Sequence, residues 1–77
     1  MKIDTGKNLD RAALRERRKE RGLSQLELAT LTGRTEVALW KIEAGRLQPS
    51  YEWVTAIAKV LNVDVEDLLT DAEQVAS

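Results

Sequence analysis

Apolar residues recur along this chain at the spacing of amphipathic helices. Val54, Ile57, Ala58 and Leu61 stand at i, i+3, i+4 and i+7, a stripe that one helix buries against a core. Leu28, Leu31 and Thr32 repeat at the same spacing in a shorter segment. Leu9, Ala13 and Leu14 provide an inward face to a charged segment that starts near 8–10 and stops at Gly22. Strand-like alternation, internal repeats and low-complexity segments are absent, so the pattern predicts an all-α fold, a compact bundle of five helices. Residues 1–8 carry Lys2, Asp4, Gly6 and Lys7 around Ile3 and are expected to form a mobile arm. The domain then covers 9–69, and 70–77 form a polar tail short of anchors.

Start and stop signals set the bounds of the individual helices. Ser24 and Glu27 make an S-x-x-E capping box, with Leu23 and Leu28 placed as a hydrophobic staple, so a helix starts at Ser24. Gly33 stops it after about two turns, because glycine enters the left-handed region without a Cβ penalty. Thr35 caps the next helix, which runs through Ala44 and ends at Gly45. On that wheel Leu39, Ile42 and Glu43 share one side, while Glu36, Val37, Trp40, Lys41 and Ala44 share the other. Ser50 caps the fourth helix, from which Trp53 is expected to point outward, and Asn62 closes it in the left-handed conformation. Asp64 with Asp67, flanked by Val63 and Leu68, repeats the capping arrangement and predicts a short fifth helix over 65–69.

Composition removes whole classes of chemistry. The chain has 77 residues with neither cysteine nor histidine, which excludes disulfides, thiolate nucleophiles, zinc-finger sites and imidazole catalysis. Its carboxylates are spread over caps and exposed faces, without a metal-binding cluster or a phosphate-cradling glycine loop, so neither enzyme activity nor a cofactor is expected. No apolar run approaches ~18 residues and no signal-peptide core is present, which places the chain in the cytoplasm and off the membrane. A core of this size is marginal, so nearly every apolar residue must serve packing.

The net charge of −1 conceals an asymmetry: residues 1–46 hold 11 Lys/Arg against 7 Asp/Glu, whereas 47–77 hold 1 against 6. A basic half steers one face toward phosphates even when the total charge is slightly negative. Arg15, Arg17, Lys19 and Arg21 fit such a field equally with the plain solubility of an exposed helix.

Two short helices joined at a tight glycine turn, between Gly22 and Gly45, fit the helix-turn-helix, whose second helix enters the major groove. Generic helical hairpins share that outline, and the wider stretch 14–69 separates the two. Arg18, Gly22-Leu23-Ser24-Gln25, Leu28-Ala29, Gly33, Leu39, Ile42-Glu43, Gly45-Arg46, Pro49-Ser50 and the run Ile57-Ala58-Lys59-Val60-Leu61-Asn62-Val63 resemble the lambda-repressor-like, Xre/Cro-type DNA-binding domains.

That resemblance implies roles residue by residue. Glu36, Val37, Trp40 and Lys41 occupy the positions that meet base edges. Lys41 is suited to guanine O6/N7, Val37 and Trp40 to a thymine methyl, and Glu36 to cytosine N4. Gln25 and Arg46 are the implied phosphate contacts, with an ordinary surface glutamine and a solvated loop arginine as the alternatives, and Gln25 also supports the recognition helix; Gln48 is a candidate for a second contact, and Thr35 for one made while it caps its helix. Arg18 and Glu43 resemble a family ion pair that fixes the angle of that helix. Three positions depart from the common pattern: Arg17 and Arg34 replace apolar residues, and Trp40 is large for a base contact. The Arg17 stem is expected along the core edge with its head in water.

The expected function is sequence-specific binding of a palindromic operator in double-stranded DNA by a homodimer that regulates transcription. A phage-type repressor, a restriction-modification controller and an antitoxin all fit. Leu47, Trp53 and Leu69 are the apolar candidates for the dimer contact. The alternative is a helix-turn-helix scaffold that binds a protein partner, because an exposed Trp beside Val is equally the mark of an interaction hot spot.

Overall fold

The computed structural model describes residues 7–71. Its order is a strand β1 (Lys7–Leu9), four helices α1 (Arg11–Glu20), α2 (Gln25–Leu31), α3 (Glu36–Glu43) and α4 (Tyr51–Leu61), a 3₁₀ turn (Val65–Leu68) and a strand β2 (Leu69–Asp71). Each α-helix opens on a side chain that accepts a hydrogen bond from a backbone amide three residues on. Asp10, Ser24, Thr35 and Ser50 take the amides of Ala13, Glu27, Ala38 and Trp53. The Ser24–Glu27 box is closed in both directions, as its spacing predicts: Ser24 Oγ accepts from the Glu27 amide at 3.0 Å and Glu27 Oε1 accepts from the Ser24 amide at 2.8 Å. The Ser24 backbone amide, and then its hydroxyl, stabilise the Glu27 carboxylate and hold its pKa below the usual glutamate value.

The helices also end alike. Backbone bonds from Leu23 to Arg18, Arg34 to Ala29, Arg46 to Lys41 and Val63 to Ala58 span 2.8–3.1 Å and close the last turns in the Schellman manner. Asn62 occupies the left-handed position after α4, with φ 59°. At Gly33, φ is 73° and a Cβ would meet nothing within 4 Å, so the glycine is required by backbone conformation and not by crowding.

The core gathers Leu14 from α1, Leu28 and Ala29 from α2, Leu39 and Ile42 from α3, and Trp53, Val54, Ile57, Ala58 and Leu61 from α4, with Leu9 and Leu68 closing its edge. Leu31, at the same helical spacing as Leu28, is instead exposed.

Three expectations are corrected here. The bundle has four α-helices, not five: 65–68 make a single 3₁₀ turn, after which Leu69 turns extended at φ −119°, ψ 151°. The chain straightens because Leu68 is fully buried while the next residues pair with β1. Strands are therefore present as well, antiparallel with Lys7 opposite Asp71, Asn8 opposite Thr70 and Leu9 opposite Leu69, and too short to leave alternation in the sequence. Lys7 and Asn8, assigned to the arm, and Thr70 and Asp71, assigned to the tail, lie in this pairing. The remainder of both segments lies outside the described residues.

Trp53 is the third correction. It is 5% exposed and does not point outward. It stands four and eight residues before Ile57 and Leu61, on the flank of the same stripe, and its indole N–H donates to Thr32 Oγ1 at 3.1 Å. Thr32 Oγ1 in turn donates to the carbonyl of Leu28 at 2.9 Å, so the polar edge of the buried ring is satisfied. Arg34 lies over that ring, 5.4 Å from its centroid, and covers Trp53 in place of an apolar side chain. Arg17 is half-buried: its Nη1 donates to Glu20 at 3.2 Å, while its Nε is buried without a hydrogen-bond partner.

Candidate nucleic-acid interface

Leu39 and Ile42 anchor α3 in the core. A helix of eight residues with two such anchors still rotates about its axis unless something fixes it, and that constraint is polar. Arg18 of α1 grips Glu43 at the end of α3 with two parallel hydrogen bonds, Nε to Oε2 at 2.8 Å and Nη2 to Oε1 at 3.1 Å. The two side chains are 9% and 4% exposed. The third guanidinium nitrogen, Nη1, donates to the Leu23 carbonyl at 2.9 Å, in the turn that leads into α2. Gln25, the first residue of α2, donates its amide to Glu43 Oε1 at 2.9 Å. One carboxylate thus receives three hydrogen bonds from two other helices, and α1, α2 and α3 are locked at one point. Bidentate geometry of this kind restricts orientation more than a point charge does.

With that side of α3 committed, the other side is open. Glu36, Val37, Trp40 and Lys41 are all exposed, Val37 by 60% and Trp40 by 47%. Gln25 adjoins them, and together with Glu36, Val37 and Trp40 it lines a shallow groove of about 200 Å³. Thr35, at the start of α3, is exposed and its hydroxyl oxygen caps the helix through the Ala38 amide at 3.1 Å.

The end of α3 is built around Gly45, at φ 79°. A Cβ there would meet the Arg11 guanidinium, the far end of a flexible side chain that can move aside, so glycine is required by conformation. The Arg46 amide bonds back to the Lys41 carbonyl at 2.8 Å, which turns the Arg46 side chain over the last turn of the helix. Its guanidinium sits 5.5 Å from the centroid of the Trp40 ring.

Of the eight residues expected to meet DNA, the structure gathers Gln25, Glu36, Val37, Trp40 and Arg46 around one helix face, with Thr35 and Lys41 on the same helix. Gln48 is engaged within the fold, its amide donating to Asn8 at 3.3 Å and tying the loop after α3 to β1. Two features escaped the sequence reading. The stacking of Arg46 on Trp40 needs a six-residue separation folded back by a left-handed glycine, which no helical wheel displays. The burial of Trp53 was visible in its i+4 and i+8 relation to Ile57 and Leu61.

The geometry matches known proteins. Residues 11–70 fit the family model described as a helix-turn-helix domain. The chain is 38% identical over 63 residues to the ImmF control region 10 kDa protein of Bacillus phage phi105, covering 82% of this chain and 69% of the relative. It superposes on the clp gene regulator ClgR from Corynebacterium glutamicum with a TM-score of 0.71 and 32% identity, over 74% of this chain and 61% of that one. A chain of the SinR protein/SinI protein complex superposes with a TM-score of 0.72 and 29% identity, over 87% of this chain and 65% of its own length. This chain therefore spans less than two thirds of either solved chain. On the locked second and third helices, the family match over 11–70 and these likenesses, the chain belongs to the Xre-type helix-turn-helix family of DNA-binding transcription regulators.

Proposed function

We propose that this protein binds a palindromic operator in double-stranded DNA as a homodimer, with α3 in the major groove, and represses transcription there. The observation that carries the reading is the division of α3 into a side fastened by Arg18, Gln25 and Glu43 and a side left open at Glu36, Val37, Trp40 and Lys41. A recognition helix must be rigid on one side and exposed on the other, because a base contact discriminates only if its donor arrives at a fixed angle. In this reading Lys41, Glu36, Val37 and Trp40 meet base edges. Arg46, Thr35 and the second N–H of the Gln25 amide meet phosphates, and Gln48 does so only if it leaves Asn8. Family resemblance to a phage control-region protein supports a repressor. Two half-sites about one helical turn apart suit a two-fold symmetric pair, with Leu47, exposed in the loop after α3, and Leu69, half-buried in β2, as apolar contacts and Trp53 withdrawn from that role.

Selection of bound sites from genomic fragments, followed by titration of the selected duplex over a range of salt, tests the proposal. Affinity should fall linearly on a log–log plot, two chains should saturate one palindrome, and Arg46→Ala should flatten the slope by about one unit per half-site. Salt-independent binding, or saturation by one chain, would reject it.

A second reading has its own observation. The groove at Gln25, Glu36, Val37 and Trp40 exposes apolar surface suited to a protein partner, and one structural neighbour is a protein–protein complex. Enrichment of no duplex in the selection favours this reading.

A further inference from the structure

We propose that Trp40 is a positioning residue for Arg46, so that contact with the DNA backbone depends on the same ring that lies among the base-reading residues. The inference rests on the DNA-binding reading above and deepens it. Four observations place the two side chains together. The Arg46 guanidinium is 5.5 Å from the Trp40 centroid. The left-handed Gly45 and the bond from the Arg46 amide to the Lys41 carbonyl, 2.8 Å, aim the arginine back over the helix. Arg46 is exposed and takes part in no ion pair among the described residues, so nothing else holds its head. Trp40 is 47% exposed and lies outside the hydrophobic core, so core packing does not explain its size.

The physical consequence is preorganisation. A free arginine has many rotamers and loses most of them when it grips a phosphate. A guanidinium already resting on an indole face has lost part of that freedom in advance, while its N–H edge remains open to an acceptor. Trp40 thereby serves binding to any duplex, whatever the base beneath it. The large side chain that departs from the usual base-contact pattern acquires a reason.

The test uses a scrambled duplex, on which base reading contributes nothing, and compares the unsubstituted chain with Trp40→Leu, Trp40→Phe, Arg46→Ala and Trp40→Leu/Arg46→Ala. Leucine keeps apolar bulk without a π face, and phenylalanine keeps a weaker face. Trp40→Leu should weaken binding to the scrambled duplex about two- to five-fold, the range of an exposed cation–π contact, and Trp40→Phe should lose less. In the Arg46→Ala background Trp40→Leu should change nothing further, because the group it positions is gone. Thermal melts of each variant show whether the fold is intact. Equal losses for leucine and phenylalanine, full additivity of the double variant, or tighter non-specific binding by Trp40→Leu would each overturn the inference and leave DNA binding standing. If the unsubstituted chain shows no salt-dependent binding to any duplex, the DNA-binding reading falls, and this inference with it.

Discussion

Lys41 and Glu36 lie on one face of α3 but carry opposite charges, and a phosphate-lined groove treats them oppositely. Lys41→Ala should cost about 1–3 kcal/mol on the preferred operator and relax the choice at one base pair per half-site. Glu36→Ala should strengthen binding to a scrambled duplex while narrowing the gap to the operator, because the carboxylate penalises every site that lacks a donor for it. Neither change should move stability by more than about 0.5 kcal/mol, since both side chains are exposed and outside the core. Paired titrations at one salt concentration, with a urea melt of each variant, check this. Glu27 carries a pH effect at this scale. Its pKa is lower in the folded chain than in the unfolded one, so its contribution is present above the unfolded glutamate value of about 4.3 and is lost as pH falls through the folded value. Glu27→Gln keeps an oxygen to accept from the Ser24 amide without the titrating charge. The stability difference between the two chains should therefore shrink as the pH is lowered through that window, and an acid-independent difference would separate the cap from the charge.

At the scale of elements, the Arg18–Glu43–Gln25 junction serves orientation, and stability and orientation separate by substitution. Arg18→Ala leaves a nearly buried carboxylate with Gln25 as its remaining side-chain partner and should cost about 3–5 kcal/mol. Replacing both charges, Arg18→Met with Glu43→Leu, should restore most of that loss, because apolar pairs of similar volume substitute well for buried ion pairs. Operator affinity should stay low in the double variant, since nothing then sets the angle of α3. Urea denaturation and operator titration of the same samples distinguish the two effects, and recovery of both together would make the junction a stability device alone. The helices themselves were legible because their signals are local: Ser24 with Glu27, Thr35 before Glu36, Ser50 before Tyr51 and Asn62 after Leu61 each act within four residues. The stacking of Arg46 on Trp40 and the hydrogen bond from Trp53 to Thr32 were not, because they depend on where the chain returns after a turn. The fifth helix was misread for a related reason. Asp64 and Asp67 do start a turn, with the Asp64 amide donating to Asp67 at 3.2 Å, but capping chemistry fixes where a helix begins and is silent on whether it continues.

At the scale of the whole molecule, the two described ends of the chain close the core on each other, although neither carries a pattern that predicts it. Leu9 faces Leu69 in the strand pair, the Asp10 amide donates to the Leu68 carbonyl at 2.8 Å, and Leu9 and Leu68 are buried at 6% and 0% exposure. In a domain this small such an edge matters, since a core of this size is marginal. The pairing has two parts of unequal weight. Lys7 and Glu66 form an ion pair at 3.4 Å, with the glutamate side chain 78% exposed, and exposed pairs contribute about 0–1 kcal/mol. Leu9 instead removes a whole apolar side chain from water and holds the first turn of α1 against the 3₁₀ turn. Leu9→Ala should therefore destabilise the domain by about 2–5 kcal/mol, with the cavity adding to the lost transfer energy, while Lys7→Ala stays within about 1 kcal/mol. Equilibrium urea denaturation followed by circular dichroism measures both. Hydrogen exchange locates the effect: in Leu9→Ala the amides of Asp10 and of Leu69–Asp71 should lose protection ahead of those in α2 and α3, because the strands open first. Should Leu9→Ala prove as mild as Lys7→Ala, the strand pair lies on a core that is already closed without it.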